Sequence, residues 1–434
     1  MSQKKDIPGT SSTENSTRTV QGLPPSPTGP LQAAGLRSSP KRRVSRRGVL
    51  LIAFVFVLVV GGSVWFFSIL RLQSSSLLEL QRPQSTVGQL IFGNSGQLDS
   101  LGTQGLNDVV TVKLGVIAPP ASGNALYAWL RPDQGQDETP SILLGTLTVV
   151  AHQVQLTYND PLHTDLLTTY SGFLVTEESA RQPPMTPSLD TSTWRYQARI
   201  PAIPVPGDPN HYSLLSHLRH LLAKDPDVES AGLHGGLNLW LYRNSLTIVN
   251  EANTARDDWQ SRNTADMHRQ IVRILDYLDG FNYVQLDVPF VDPVTQVETP
   301  FLIDRKLGAI GLLTFSQRQA LPGYLVHINL HLDGAISSPG ISAGQKALAG
   351  QIDVALTRVI TPLFQKVHDD AARLVKMDDA QLQTSQALSL LNDMATNANA
   401  AISGPVDPTT GIVGKGVTWL HAIMQQLAVV TVMR

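Results

Sequence analysis

Between positions 48 and 70 the chain reads GVLLIAFVFVLVVGGSVWFFSIL, an apolar run without a charge. At about 1.5 Å rise per residue, such a run forms a helix long enough to cross a ~30 Å hydrocarbon core. The pattern then changes twice. From Val109 onward Val110, Val112, Leu114 and Val116 alternate with other residues, as a half-buried strand requires. Further strand-like segments follow at 125–130, 142–150, 153–158, 171–176 and 193–200, separated by Gly, Pro, Asn and Asp. Short strands punctuated in this way predict an all-β sandwich over residues 107–200.

A Pro-rich link, PAIPVPGDPN at 201–210, precedes the second change, to a helical period. Leu214, Leu215, Leu218, Leu221 and Leu222 share one face of a helix over 211–223, which Asp225-Pro226 ends. Helices are predicted at 237–259 and at 267–278, the latter closed by Leu278-Asp279-Gly280, where Gly suits a left-handed cap. Residues 281–315, interrupted by Pro289, Pro293 and Pro300, read as irregular or β-like. Residues 316–332 read as a helix ending in a second Leu-Asp-Gly, Leu332 to Gly334. The alternation of His327, Asn329 and His331 with Ile328, Leu330 and Leu332 also permits a strand there. The two triplets form an internal echo. The longest helix spans 348–374 and should kink at Pro362. Helices at 381–401 and 416–432 complete an all-α bundle over 211–434.

The termini of the apolar run orient it. Lys41, Arg42, Arg43, Arg46 and Arg47 precede it, and Trp65, Phe66 and Phe67 close it in the manner of an interfacial belt. Ser45-Arg46-Arg47 has the look of a twin-arginine export signal, but the run is too long and lacks a small-residue cleavage site, so it reads as an uncleaved anchor. The expected topology is single-pass in the cell membrane, N-terminus cytoplasmic and the bulk of the chain extracytoplasmic. Residues 1–47 carry nine Lys/Arg against two Asp/Glu; the whole chain is at −2, so the rest is acidic, at −9. The tail, rich in Ser, Thr, Pro and Gly, is expected to be disordered and to suit anionic lipid. It has no aromatic residue for base stacking, so no nucleic-acid partner is expected. Residues 71–106 read as a stalk with one short helix near 76–81. The chain has no cysteine, which excludes disulfides, thiolate metal sites and cysteine nucleophiles.

The order Tyr127-Ala128-Trp129-Leu130, Leu144-Gly145, FLVTEE at 173–178, then Pro183, Pro184 and Pro187 resembles the extracytoplasmic C-terminal domain of anti-sigma-K factor-like membrane proteins. In that family a Y-x-W-L strand, a glycine turn and an F-x-V-T-x-E strand lead into a Pro-rich exit. The resemblance covers about a fifth of the chain, residues 107–200, and implies a bacterial envelope protein with a β-sandwich outside the membrane. The family carries a helical sigma-binding domain in the cytoplasm; here that side is a polar tail without His or Cys, so direct sigma-factor binding is not expected. The resemblance does not extend to residues 211–434.

Candidate chemistry is sparse. His217 and His220 share a helical face, and a metal ion there would need further ligands, such as a carboxylate from Asp225 or Asp227. His327 and His331 have the spacing of two-histidine zinc helices without the intervening Glu. For both pairs the plainer reading is ordinary polar decoration or satisfied core histidines, so no metal or cofactor is expected and these four residues stand as the candidates. Asp276, Asp279, Asp369, Asp370, Asp378 and Asp379 offer carboxylate pairs, but adjacent carboxylates point apart, and no EF-hand spacing is present. Walker, nucleophile-elbow and dinucleotide motifs are absent, and His234-Gly235-Gly236 reads as the start of a helix. Tyr127 and Trp129 read as core rather than as a ligand face. The expectation is a non-enzymatic, membrane-anchored binding or sensing protein that works through a protein partner or self-association. The alternatives are an envelope metal-dependent protein or enzyme using the helical-domain histidines, and a structural surface assembly.

Overall fold

Alternating apolar positions in β2 (Val109–Gly115) set the inner face of a sheet: Val110, Val112 and Leu114 are buried, while Lys113 points to solvent. The computed structural model describes residues 85–96, 101–136, 138–314 and 321–434. The expected basic tail with Lys41, Arg42, Arg43, Arg46 and Arg47, the membrane span at 48–70 and the helix near 76–81 lie outside the described residues.

The strands are β1 (Thr86–Gly93), β2, β3 (Asn124–Pro132), β4 (Ile142–Leu147), β5 (Gln153–Asn159), β6 (Tyr170–Ser179), β7 (Trp194–Arg199) and β8 (Val429–Met433). They form one antiparallel sheet in the order β4-β3-β6-β7-β8-β1-β2-β5. The edge strands β4 and β5 are consecutive in the chain and approach each other, so the sheet curls into a near-barrel. The expected two-sheet sandwich is therefore corrected to a single curled sheet. Two of its strands lie outside residues 107–200. β1 comes from the segment read as a stalk, where Gly88 and a register irregularity break the alternation, although Leu90 and Phe92 are fully buried. β8 comes from the segment read as the last helix: that helix ends at Met424, the buried Val430 and Val432 then pair with Leu90 and Gly88 of β1, and Met433 pairs with Gln197 of β7.

β3 is buried on both faces. Leu126, Ala128 and Leu130 enter the main core, while Tyr127 and Trp129 pack with Leu174 in a small second cluster. The Trp129 indole N–H donates to Thr176 Oγ1 at 3.0 Å, satisfying its one polar atom.

The helical region contains α1 (Leu214–Leu222), α2 (Pro226–Ser230), α3 (Leu237–Ser261), α4 (Thr264–Asp279), α5 (Tyr324–Ser337), α6 (Ala343–Ala355), α7 (Thr361–Leu374), α8 (Asp379–Leu382), α9 (Ser385–Ser403) and α10 (Val417–Met424). α3 is the axis, packing on α1, α4, α5, α9 and α10. Leu278-Asp279-Gly280 ends α4 as expected, but the cap is not the left-handed turn anticipated: Gly280 has φ +86° and ψ +150°, a positive-φ extended conformation open to glycine alone. The second triplet does not end a helix: α5 starts at Tyr324 and runs through Gly334 to Ser337. Between α6 and α7 the backbone widens into a π-helical turn, Leu356–Ile360, ahead of Pro362. Proline cannot supply the hydrogen bond the preceding turn needs, and the wider turn absorbs that loss. Among the described residues this continuous stretch, Ala343–Leu374, is long and apolar enough to cross a membrane by length and composition; its buried face, Ile352, Leu356, Ile360, Phe364 and Val367, joins the core. The described residues form one compact unit with one main apolar core running from sheet to helices.

Candidate metal centre

α1 begins at a capping box in which Ser213 and Ser216 exchange side-chain and backbone hydrogen bonds. That start fixes the rotation of the helix and points His217 and His220, three apart, at α5. On α5, His327 and His331 are four apart and face back. All four imidazoles meet. His220 Nδ1 lies 3.2 Å from His331 Nε2, His331 Nε2 lies 3.2 Å from His327 Nε2, and His217 Nδ1 lies 3.0 Å from His331 Nδ1. Tyr212 covers the group edge-on, 4.8 Å from the His220 ring.

A carboxylate completes the cluster. Asp225 caps α2, its Oδ1 accepting the backbone N–H groups of Asp227 and Val228, with Pro226 at the first helical position. That role turns Oδ2 toward the histidines: it is 3.8 Å from His220 Nδ1, 3.8 Å from His331 Nε2 and 3.9 Å from His327 Nε2. Oδ2 is buried and accepts no hydrogen bond. Asp227 Oδ2 stands 3.7 Å from His327 Nε2 at the more exposed side. The ligand atoms fall into two sets that share Asp225, one with His220 and His331, the other with Asp227 and His327.

The electrostatics favour neutral rings at His217, His220 and His331. Burial, then the neighbouring His217 and His327, pull His220 down to about 4. Burial, then the other three histidines, pull His331 down to about 2. Burial also lowers His217, against the opposing charge of Asp208. Burial raises Asp225, against His327. A neutral imidazole carries one N–H and one lone pair, and where the lone pairs of His220 and His331 face Asp225 Oδ2, which accepts no hydrogen bond, a proton or a cation would relieve the repulsion. The tautomer in which His331 Nδ1–H donates to His217 leaves His331 Nε2 free as a ligand and makes His217 its orienting partner.

The geometry suits a zinc-type ion. Arms of about 2.0–2.1 Å in a tetrahedron place ligand atoms about 3.3–3.4 Å apart. The His220–Asp225–His331 set spans 3.2–3.8 Å. The set lies in the wall of a pocket of about 530 Å³, whose lining includes Asp208, Asp225, Asp227 and Asp333, a negative surround for a cation. A zinc ion held by three side chains beside an open pocket would have the arrangement of a catalytic rather than a structural site.

Sequence reading names all four histidines and both carboxylates, but as two separate pairs. The structure brings the pairs together. Gly334 and Tyr212 were missed: Gly334 looks like a helix stop, and nothing local marks Tyr212. Of the other carboxylates, Asp378 caps α8, Asp379 accepts from Thr264 Oγ1 and Asp276 accepts the backbone N–H of Asp304. His234 stays outside the cluster, its carbonyl accepting from Trp240 Nε1.

The fold and the cluster thus define a curled antiparallel sheet joined to a helical region that carries a histidine-rich, acid-lined pocket. Comparisons with protein-family models, curated proteins and solved structures find no match to this chain.

Proposed function

We propose that this chain is a membrane-anchored metalloprotein that binds a zinc-type divalent ion through His220, Asp225 and His331 and activates water at the open coordination position. The observation that carries the reading is the approach of His220 Nδ1, His331 Nε2 and the unbonded Asp225 Oδ2 within 3.8 Å of one another. A bound zinc ion lowers the pKa of its water to about 7, which supplies hydroxide at neutral pH. With an ion bound, His327 and Asp227 would stand beside it as groups able to accept a proton from the bound water.

The test is zinc analysis of the detergent-solubilised full chain, with cobalt substitution as the spectroscopic probe. His331→Gln and Asp225→Asn each should lose the ion while circular dichroism stays unchanged. A cobalt spectrum that titrates near neutral pH would support bound water. Zinc content unchanged in both variants overturns the reading.

The anchor at 48–70, its orientation by Lys41 to Arg47 and the extracytoplasmic location belong to the same proposal, as does the anti-sigma-K-like character of residues 107–200. A second reading, a binding module acting through a protein partner, is favoured by the exposed Leu286, Phe290 and Phe301 in the 284–303 segment. Crosslinking in cells with a 1–83 truncation as control separates the two: a partner captured only by the full chain supports the module.

A further inference from the structure

Asp279 is an unusual residue to find at the inner end of α4. It is 1% exposed, and neither of its carboxylate oxygens receives a hydrogen bond. A buried ionised carboxylate that accepts no hydrogen bond is costly unless it is protonated or a cation lies against it. Its Oδ1 points at His368 Nε2, 3.4 Å away, and Asp287 Oδ2 approaches the same nitrogen at 3.2 Å. The three ligand atoms lie within 4.8 Å of one another.

Three separate elements supply these groups. Asp279 is the last residue of α4, held by the glycine turn at Gly280. Asp287 follows the short helical turn Val284–Leu286. His368 lies on α7, downstream of the π-helical turn at 356–360. One extra residue in a helix rotates everything after it by about 100°, and such turns recur at functional sites. Asp369 Oδ1 lies 3.3 Å from His368 Nδ1 and also accepts from Gln365 Nε2 at 3.1 Å. That carboxylate is placed to accept a hydrogen bond from Nδ1–H and so to direct Nε2 at a metal, the usual support of a metal-bound histidine.

We propose that Asp279, Asp287 and His368 form a second divalent-metal site, separate from the histidine-rich pocket, that ties α4, the 280–292 segment and α7 together. Two carboxylates balance a divalent ion in charge. A site with one imidazole and two carboxylates takes zinc or manganese, since imidazole suits zinc and carboxylates suit manganese. The separations of 3.2 and 3.4 Å match the edge of about 3.3–3.4 Å expected for a four-coordinate zinc ion. The inference stands on its own residues and does not need the first site to be occupied.

The experiment is metal stoichiometry of the detergent-solubilised full chain after dialysis against zinc or manganese, for the wild type and for Asp287→Asn, His368→Gln and His331→Gln. Asp287 is partly exposed, so its variant keeps the buried packing and guards against simple unfolding. The expected result is that Asp287→Asn and His368→Gln each bind about one equivalent less than the wild type and lose the thermal shift that added metal gives. His331→Gln should leave that equivalent in place, so failure of the pocket site and failure of this one are distinguishable. Unchanged stoichiometry in a folded Asp287→Asn, or loss of this equivalent through His331→Gln alone, overturns the proposal.

Discussion

The imidazole of His217 occupies the space that a side chain on Gly334 would need. A Cβ built on Gly334 falls 2.2 Å from His217 Cε1 and 2.4 Å from Nε2. Gly334 sits inside α5, where glycine ordinarily costs up to about 1 kcal/mol relative to alanine. The helix accepts that cost so that His217 can reach His331.

Gly334→Ala should therefore lower stability by about 1–3 kcal/mol despite the better helix former, because the ring must leave its place. Zinc affinity should drop about 10- to 100-fold, the usual effect of disturbing an orienting partner. Gly350→Ala on α6 is the internal comparison: a Cβ there meets nothing within 4 Å, so a gain of about 0.5–1 kcal/mol is expected. Thermal melts of the two variants check the contrast, and equal shifts would discard the steric account.

Arg219 joins α1 to the sheet. Its guanidinium donates to both Asp133 oxygens, at 2.6 and 2.8 Å, and its Nε donates to the Leu167 carbonyl at 2.8 Å. Lysine keeps the charge but cannot reproduce the fork. Arg219→Lys should cost about 1–3 kcal/mol in urea unfolding, since the partners left behind are largely buried. A loss near zero would mean that apolar packing alone fixes α1 to the sheet.

Asp165 gives a pH dependence with a definite sign. Burial raises its carboxyl to about 7, outweighing the hydrogen bonds from Asn107, Thr168 and Leu167 and the attraction of Arg219. Between the unfolded value near 4 and the folded value of about 7, the folded chain holds more protons than the unfolded one. This group therefore contributes stability at low pH that is lost as pH rises through that window. Asp165→Asn keeps the capping geometry and should flatten that part of the profile. The difference between wild type and variant, followed by urea unfolding from pH 5 to pH 8, should change by a few kcal/mol at most. A difference independent of pH would refute the assignment.

His268 and Asp292 form a fully buried pair between α4 and the 284–303 segment, and His268 Nε2 donates to the Val375 carbonyl at 2.8 Å. Removing the imidazole leaves the Val375 carbonyl and Asp292 Oδ2 without their partner, while Oδ1 keeps the backbone N–H groups of Val294 and Thr295. His268→Ala should cost about 3–5 kcal/mol. Denaturant melts read the cost directly; a value below about 1 kcal/mol would show that water replaces the ring.

The helical half was largely legible because its apolar period is strong: α1, α3, α4 and α9 fall close to the segments that periodicity marks. The histidine spacings on α1 and α5 were equally visible. Their meeting was not, because it depends on helix packing between residues more than a hundred positions apart, as in the His217–His331 contact. β1 and β8 were hidden for a different reason. Thr86–Gly93 mixes glycine and polar residues with its apolar ones, and Val429–Met433 follows a helix so closely that one period runs into the other. Gly334 misled because glycine marks both helix ends and close approaches, and only the neighbouring His217 ring tells them apart.

The pairing of Leu90 with Val430 sets an order of events. β8 lies between β7 and β1, so the centre of the sheet stays open until the segment near residue 430 has been made and brought back across the whole helical region. Loop closure over that span is slow, and the exposed edges of β1 and β7 are open to wrong pairing meanwhile. A growing chain therefore reaches its native sheet late, and chaperone protection of those two edges would matter most while the helices are still emerging.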